Sequence, residues 1–202
     1  MATIEYFYAA HSAFAYLGSA KLLEIAAAAG ATILHRPIDL RKVVPAAGAP
    51  DFGKRTPAHR AYFFGREIKR WSEERGAPVM EGMPTYHQND ITLPNCFLIA
   101  ANEAGNNIDR LAHAFLEAHW RDDADLADAP TLVRLANGTG LDGEAILAAA
   151  HHADIAAKYA EYTQEAIDRS VFGSPTFFVD GDMFYGQDRL EMVARALKKP
   201  YK

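Results

Sequence analysis

Short apolar runs open and close this chain, and helical spacing fills the stretch between them. Ile4, Tyr6, Phe7 and Tyr8 are β-branched or aromatic side chains, which predict a strand over Thr3–Tyr8. From Ser12 to Ala29 alanine and leucine dominate and Gly30 follows, predicting a helix with a glycine stop. A second strand is expected over Thr32–Ile38, ending at Pro37-Ile-Asp-Leu40. A helical crossover between the two makes them parallel, a βαβ unit. Pro45 to Pro57, with three prolines and two glycines, reads as a loop carrying the adjacent bases Lys54 and Arg55. Phe64, Ile68 and Trp71 then recur at one-face spacing, an amphipathic helix that ends at Gly76. After an irregular stretch to Asp90, helices are expected from near Pro94 to Gly105 and along Ile108, Leu111, Ala112, Phe115, Leu116 and His119. Shorter pieces follow Pro130 and Leu141, and a long helix runs from about Ala153 to Arg169.

Strand chemistry returns in Phe172–Gly186, two apolar runs around Asp180-Gly181, a strong hairpin signal. A last helix from about Asp188 places Leu190, Val193, Ala194 and Leu197 on one face. The order is therefore βαβ, a helical block of roughly 100 residues, then ββα. The two ends can form one four-stranded mixed sheet, with the middle an all-helical insertion packed against it. The expected division is a discontinuous α/β domain, residues 1–42 and 171–202, and a loop plus inserted helical domain, residues 43–170.

Composition narrows the function. Of 202 residues 50% are hydrophobic, enough for a sizeable core, and the net charge of −5 is interspersed. That argues against a nucleic-acid partner, which needs a concentrated basic face. No apolar run approaches the roughly 20 residues of a membrane span, and Met-Ala-Thr-Ile-Glu lacks the basic start of a signal peptide. A soluble, cytoplasmic protein is expected. The single cysteine, Cys96, forbids an internal disulfide and reads as core. No metal is expected: the eight histidines make no His-Glu-x-x-His, and Asp122-Asp-Ala-Asp125 lacks the glycine and glutamate of a calcium loop.

Ser12 stands where the first strand becomes the first helix. Its hydroxyl can cap the helix, or face outward so that hydroxyl, free N–H groups and helix dipole together favour an anion. Two distant stretches bear on the choice. Gly173-Ser-Pro175-Thr resembles the cis-proline turn of the thioredoxin superfamily, whose redox members carry Cys-x-x-Cys where this chain has Ala10-His11-Ser12-Ala13. Without a thiol there, disulfide exchange lacks its nucleophile. Serine at that position, Phe14-Ala-Tyr16-Leu17, Ile38-Asp-Leu40, Tyr62 through Trp71, Val171–Thr176 and Tyr185-Gly-Gln-Asp-Arg-Leu190 together resemble the 2-hydroxychromene-2-carboxylate isomerases and the related kappa-class glutathione transferases.

The resemblance spans nearly the whole chain. It implies a thioredoxin-like fold, glutathione as cofactor, an aromatic carboxylate as small-molecule substrate, and a homodimer. The implied reaction is reversible ring opening of a chromene carboxylate to trans-o-hydroxybenzylidenepyruvate by thiolate addition, rotation and elimination. Ser12 is then a thiolate stabiliser rather than a nucleophile. A cysteine-like thiol with a pKa near 8.5 needs about 1.4 kcal/mol per unit of lowering. A hydrogen bond to the charge supplies roughly 1.5–3 kcal/mol and a helix N-terminus roughly 0.3–1, so the hydroxyl is the larger contributor. Glutathione would be held by Ser12, Ser174 and Pro175 with Tyr185, Gly186, Gln187 and Asp188, the last meeting its ammonium. Lys42, Lys54 and Arg55 would meet the substrate carboxylate, and Tyr86 its ring or phenol oxygen. The chain departs from the family at Ala9, Ala13 and His11, and His11 is expected to change its charge near pH 6–7. Two other readings stand beside this one: a kappa-like transferase that retains the glutathione conjugate, and a non-catalytic thioredoxin-fold binding or chaperone module.

Overall fold

The computed structural model describes residues 2–49 and 54–202. Strand β1, Thr3–Tyr8, pairs in parallel with β2, Thr32–Pro37, from Thr3 opposite Thr32 to Tyr8 opposite Pro37. On its other side β1 runs antiparallel to β3, Thr176–Val179, with Tyr6 opposite Phe177. The hairpin partner β4, Asp182–Tyr185, completes a four-stranded sheet in the order β2-β1-β3-β4. Tyr6 stacks on Tyr8 at 4.1 Å and on Phe177 at 5.2 Å, so aromatic faces weld the two halves of the sheet. The fold is thioredoxin-like, as the order of elements predicts.

Helix α1, Ala13–Ala29, is the parallel crossover and ends on Gly30 in the left-handed conformation. The helices of the middle stretch are α2, Leu40–Ala46; α3, Pro57–Arg60, continued by a π-turned segment, Ala61–Arg66; and α4, Glu67–Arg75. After these come α5, Thr92–Glu103; α6, Asp109–Asp122; α7, Ala129–Gly138; α8, Gly143–Ala150; and α9, Ala153–Asp168. A 3₁₀ turn at Gln187–Arg189 leads into α10, Leu190–Ala196. One buried cluster runs from Ile4 and Phe7 on the sheet through Leu17 and Leu22 of α1 to Phe97, Phe115 and Trp120 of the helices.

Two local expectations are corrected. The second strand stops at Pro37, one residue short of Ile38, and Pro45 and Ala46, which open the expected loop, instead form the end of α2. Asp39 caps that helix by accepting from the Arg41 N–H at 3.1 Å, and burial of Leu40, Val43 and Val44 outweighs the breaking tendency of Pro45. Pro50 and Gly53 of the expected loop lie outside the described residues. The amphipathic helix ending at Gly76 is regular only from Glu67; its first turns are π-wound, a form that recurs at functional sites.

Gly18 on α1 is a close-approach position. A Cβ there would lie 2.6 Å from Cβ of Gln187 and 3.1 Å from Leu190 Cδ1. Gly18→Ala is expected to lower stability by about 1–3 kcal/mol in urea unfolding, because the turn before α10 must shift. An unchanged midpoint would contradict the contact.

The helical region is tied to the sheet by a buried chain of hydrogen bonds. The Tyr8 hydroxyl meets His35 Nδ1 at 3.0 Å, and His35 Nε2 meets the Asp109 carboxylate at 2.9 Å. Burial alone would raise the Asp109 pKa, but the hydrogen bonds from His35 and Asn107 hold it below the usual 3.8. Glu5 is likewise depressed, chiefly by the Arg169 guanidinium. A depressed carboxyl stabilises the fold above its unfolded pKa and loses that contribution as pH falls through the folded value. Unfolding free energy should therefore drop between about pH 5 and pH 3. Asp109→Asn should flatten that slope in urea titrations; an unaltered slope would contradict the assignment.

Candidate functional site

The site is built on the turn joining β1 to α1, and each polar group of that turn meets a different element. The Ala9 N–H donates to Ser174 Oγ at 3.2 Å, and the Ala10 N–H donates to Asn95 Oδ1 of α5 at 3.0 Å. The His11 carbonyl accepts from the Trp120 indole of α6 at 2.8 Å. The Ser12 N–H closes back on the Ala9 carbonyl at 3.0 Å. A turn held from three sides is preorganised, the condition for a site that must place one hydroxyl accurately.

That hydroxyl is Ser12 Oγ. It accepts from the Ala15 N–H at 3.3 Å, so Ser12 caps α1. It also donates to the Ser174 carbonyl at 3.2 Å, so it points toward the turn whose Ser174–Pro175 peptide bond is cis. Both bonds are long for a hydroxyl, and the proton can turn to a stronger acceptor. Ser12 is 7% exposed. The structure thus brings together Ser12, Ser174 and Pro175, which lie more than 160 residues apart in the chain.

The Pro175 carbonyl accepts from the Gly186 N–H at 2.9 Å, fixing the stretch after β4 beside the proline turn. Gly186 has φ +100°, a backbone conformation that strains any other residue, so glycine is favoured here. Tyr185 is exposed, with its ring edge-on to Phe172 at 5.7 Å. Partial burial raises the Tyr185 phenol pKa; the nearby Arg55 guanidinium opposes the rise and Asp188 adds to it. Asp188 pairs with Arg189 at 2.7 Å and stays exposed. Gln187 points the other way: it is buried, and its side-chain oxygen accepts from Arg75 Nε at 2.9 Å. Arg75 also binds the Gln187 carbonyl and Glu191, so α4 buttresses this segment from behind.

Among the expected substrate bases, Arg55 is the one drawn toward this wall. Its guanidinium lies over Phe63 and Phe64 at 5.5 and 5.4 Å, and Phe63 packs on Phe14 at 4.9 Å, two residues after Ser12. Lys42 pairs with Asp39 at 3.3 Å and is 71% exposed. Lys54 and Tyr86 are exposed. On α2 it is Arg41 that reaches inward electrostatically, acting on His11 and His87, while its guanidinium holds the carbonyls of Gln88 and Asn89 at 3.1 and 3.0 Å.

His11 corrects an expectation. Its ring is buried, 4.9 Å from the His87 ring and 6.4 Å from that of His119. Burial first, then the neighbouring imidazoles and Arg41, push its pKa well below 6.5, so it stays neutral at pH 6–7. His87 and His119 are themselves joined, Nδ1 to Nε2 at 3.0 Å, beside Trp120. Sequence reasoning missed Asn95, Arg75, Arg41 and this pair. Asn95 sat in an expected first helical turn and His119 on an apolar face, and neither position advertises a partner so far away in the chain.

Cys96 is buried and its thiol is pushed up to about 11 by burial first and by Asp90 second, so the chain's own thiol is not a thiolate at neutral pH.

A family model for the DSBA-like thioredoxin domain matches residues 3–198. A curated relative from Sphingobium xenophagum, named 2-hydroxychromene-2-carboxylate isomerase, is 28% identical over 195 residues, covering 95% of each chain. The solved structure of a 2-hydroxychromene-2-carboxylate isomerase superposes with a TM-score of 0.79 at 24% identity, covering 98% of this chain and 95% of that one. The cytosolic disulfide reductase DsbM from Pseudomonas aeruginosa, solved with GSH, superposes with a TM-score of 0.64 at 20% identity, covering 98% and 93%.

Proposed function

Since the chain belongs to the DSBA-like thioredoxin domain family yet carries serine at the start of α1, we propose that it is a glutathione-dependent isomerase. Its substrate pair is 2-hydroxychromene-2-carboxylate and trans-o-hydroxybenzylidenepyruvate, or a related aromatic catabolite. The names of the curated relatives support an isomerase. One observation carries the reading further: Ser12 Oγ faces the cis Ser174–Pro175 turn at a helix N-terminus, while Cys96 is buried and un-ionised. A borrowed thiol suits this arrangement. The residues fit glutathione: a reorientable hydroxyl at Ser12, and the exposed side chains of Tyr185 and Asp188 on the segment that Gly186 ties to the proline turn.

Glutathione supplies a thiolate that adds reversibly to the conjugated system, so that a double bond becomes a rotatable single bond. The Ser12 hydroxyl would donate a hydrogen bond to that thiolate and so favour its charged form. Ser174 and Pro175 present backbone to the tripeptide, Asp188 meets its ammonium, and Tyr185 and Gly186 line the same edge. Gln187, locked to Arg75, holds that edge in place. Arg55, seated on Phe63 and Phe64, receives the substrate carboxylate, with Lys42 and Lys54 as outer bases and Tyr86 beside the aromatic ring.

The test is product analysis of purified protein with chromene carboxylate, with and without glutathione. The expected result is equilibration to the trans isomer only with glutathione, which is recovered unchanged. Stoichiometric loss of free thiol would make the protein a transferase, and no conversion in either case would reject the reading.

A further inference from the structure

His11, His87 and His119 come from three separate elements and meet beside the Ser12 turn, with Trp120 against both His87 and His119. Their proton positions follow from their partners. His119 Nδ1 faces the Ala124 carbonyl at 3.0 Å. A carbonyl only accepts, so Nδ1 carries the hydrogen and, in the neutral ring, Nε2 carries the lone pair. That lone pair accepts from His87 Nδ1 at 3.0 Å, which leaves the free lone pair on His87 Nε2. His87 is half-buried between the exposed Tyr86 and Gln88, and Arg41 pins its loop through the Gln88 and Asn89 carbonyls. His119 is buried at the end of α6 and does not open to solvent. The chain Ala124 carbonyl–His119–His87 therefore holds one ring nitrogen, His87 Nε2, with an uncommitted lone pair.

We propose that His87 is a catalytic proton carrier for ring opening, with His119 as the positioning residue that fixes its tautomer, an inference that rests on the isomerase reading above. His87 Nε2 takes the proton from the C2 hydroxyl of the chromene hemiketal. The freed O–H pair becomes the C=O π bond as the bond from C2 to the ring oxygen breaks. The ring oxygen leaves with that pair and takes the proton back from His87 as it becomes the phenol. One proton moves from oxygen to oxygen, and nothing is oxidised or reduced.

The groups facing His87 agree with a transient carrier. Burial first, then His119 and Arg41, push its pKa down to about 4, so Nε2 is unprotonated at neutral pH. A proton taken there passes readily to a phenolate, whose conjugate acid ionises near pH 10. Asp123 and Asp125, beyond His119, favour the moment of positive charge on the pair, while Arg41 opposes its persistence.

The test has two parts. His87→Gln should lower kcat about 30-fold while the KM for glutathione stays within about twofold, and added imidazole should restore part of the rate. His119→Gln should lower kcat less than His87→Gln does and let the His87 hydrogen distribute between Nδ1 and Nε2 in the nitrogen spectrum; unchanged kcat in His87→Gln would overturn the proposal. Nitrogen-resolved NMR of the wild-type protein does not depend on turnover. It should show His87 protonated at Nδ1, with Nε2 shifting when trans-o-hydroxycinnamate, a phenol carboxylate, is added. If the wild type does not isomerise chromene carboxylate, the isomerase reading fails and this spectrum decides the rest. A moving Nε2 supports a phenol-facing relay, and an Nε2–H tautomer or an unmoved signal overturns it.

Discussion

Ser12→Ala is expected to lower glutathione-dependent turnover at neutral pH by about tenfold. The hydroxyl donates to the Ser174 carbonyl at 3.2 Å, a long bond that a thiolate would displace. A hydrogen bond to a charge is worth roughly 1.5–3 kcal/mol, which is about 10- to 150-fold in the ionisation constant of the thiol and, at pH 7, at most about 30-fold in the fraction ionised. Alanine leaves only the helix dipole, roughly 0.3–1 kcal/mol. The same change removes the cap on the Ala15 N–H, so stability should fall by about 1 kcal/mol as well. Ser12→Thr separates the two effects, because it keeps both the cap and the hydroxyl and should recover most of the rate. Steady-state kinetics beside urea unfolding measure both. Turnover of the alanine variant within threefold of wild type would contradict the role.

Asn95→Leu is expected to cost about 3–5 kcal/mol of stability and to weaken glutathione binding although Asn95 need not touch it. Asn95 is fully buried. Its Oδ1 accepts from the Ala10 N–H at 3.0 Å, and its Nδ2 donates to the Tyr159 hydroxyl at 3.1 Å and to the Ile38 carbonyl at 3.4 Å. Leucine has a similar volume but strands all three partners away from water, at roughly 1–3 kcal/mol for each left unpaired. Since Ala10 belongs to the β1–α1 turn, its release also loosens Ser12. Urea unfolding and a binding titration check the two parts. A variant as stable as the wild type would contradict the network.

The elements that the sequence discloses are those with local punctuation. Gly30 and Gly76 both end helices in the left-handed conformation, and Asp180-Gly181 turns the hairpin. Ser12 and Ser174 were legible because each lies in a recognisable stretch at a strand or helix boundary. Helix α2 was not, since Pro45 reads as a breaker and only tertiary burial of Val43 and Val44 reveals what overrides it. The direction of Gln187 was hidden for a related reason: its partner Arg75 is 112 residues away on the insertion. The histidine cluster was the least legible. His119 repeats with the apolar face of α6, and only folding sets it against His87 in a loop without periodicity.

The central claim is that this chain holds and ionises a thiol it does not itself possess. It is tested most directly by titrating the wild-type protein with glutathione across pH and following thiolate absorbance at about 240 nm. The account predicts saturable binding with the thiol pKa lowered by about one to two units from its ordinary value near 8.5. Absence of binding at millimolar glutathione, or a bound thiol that ionises as it does in water, would contradict it.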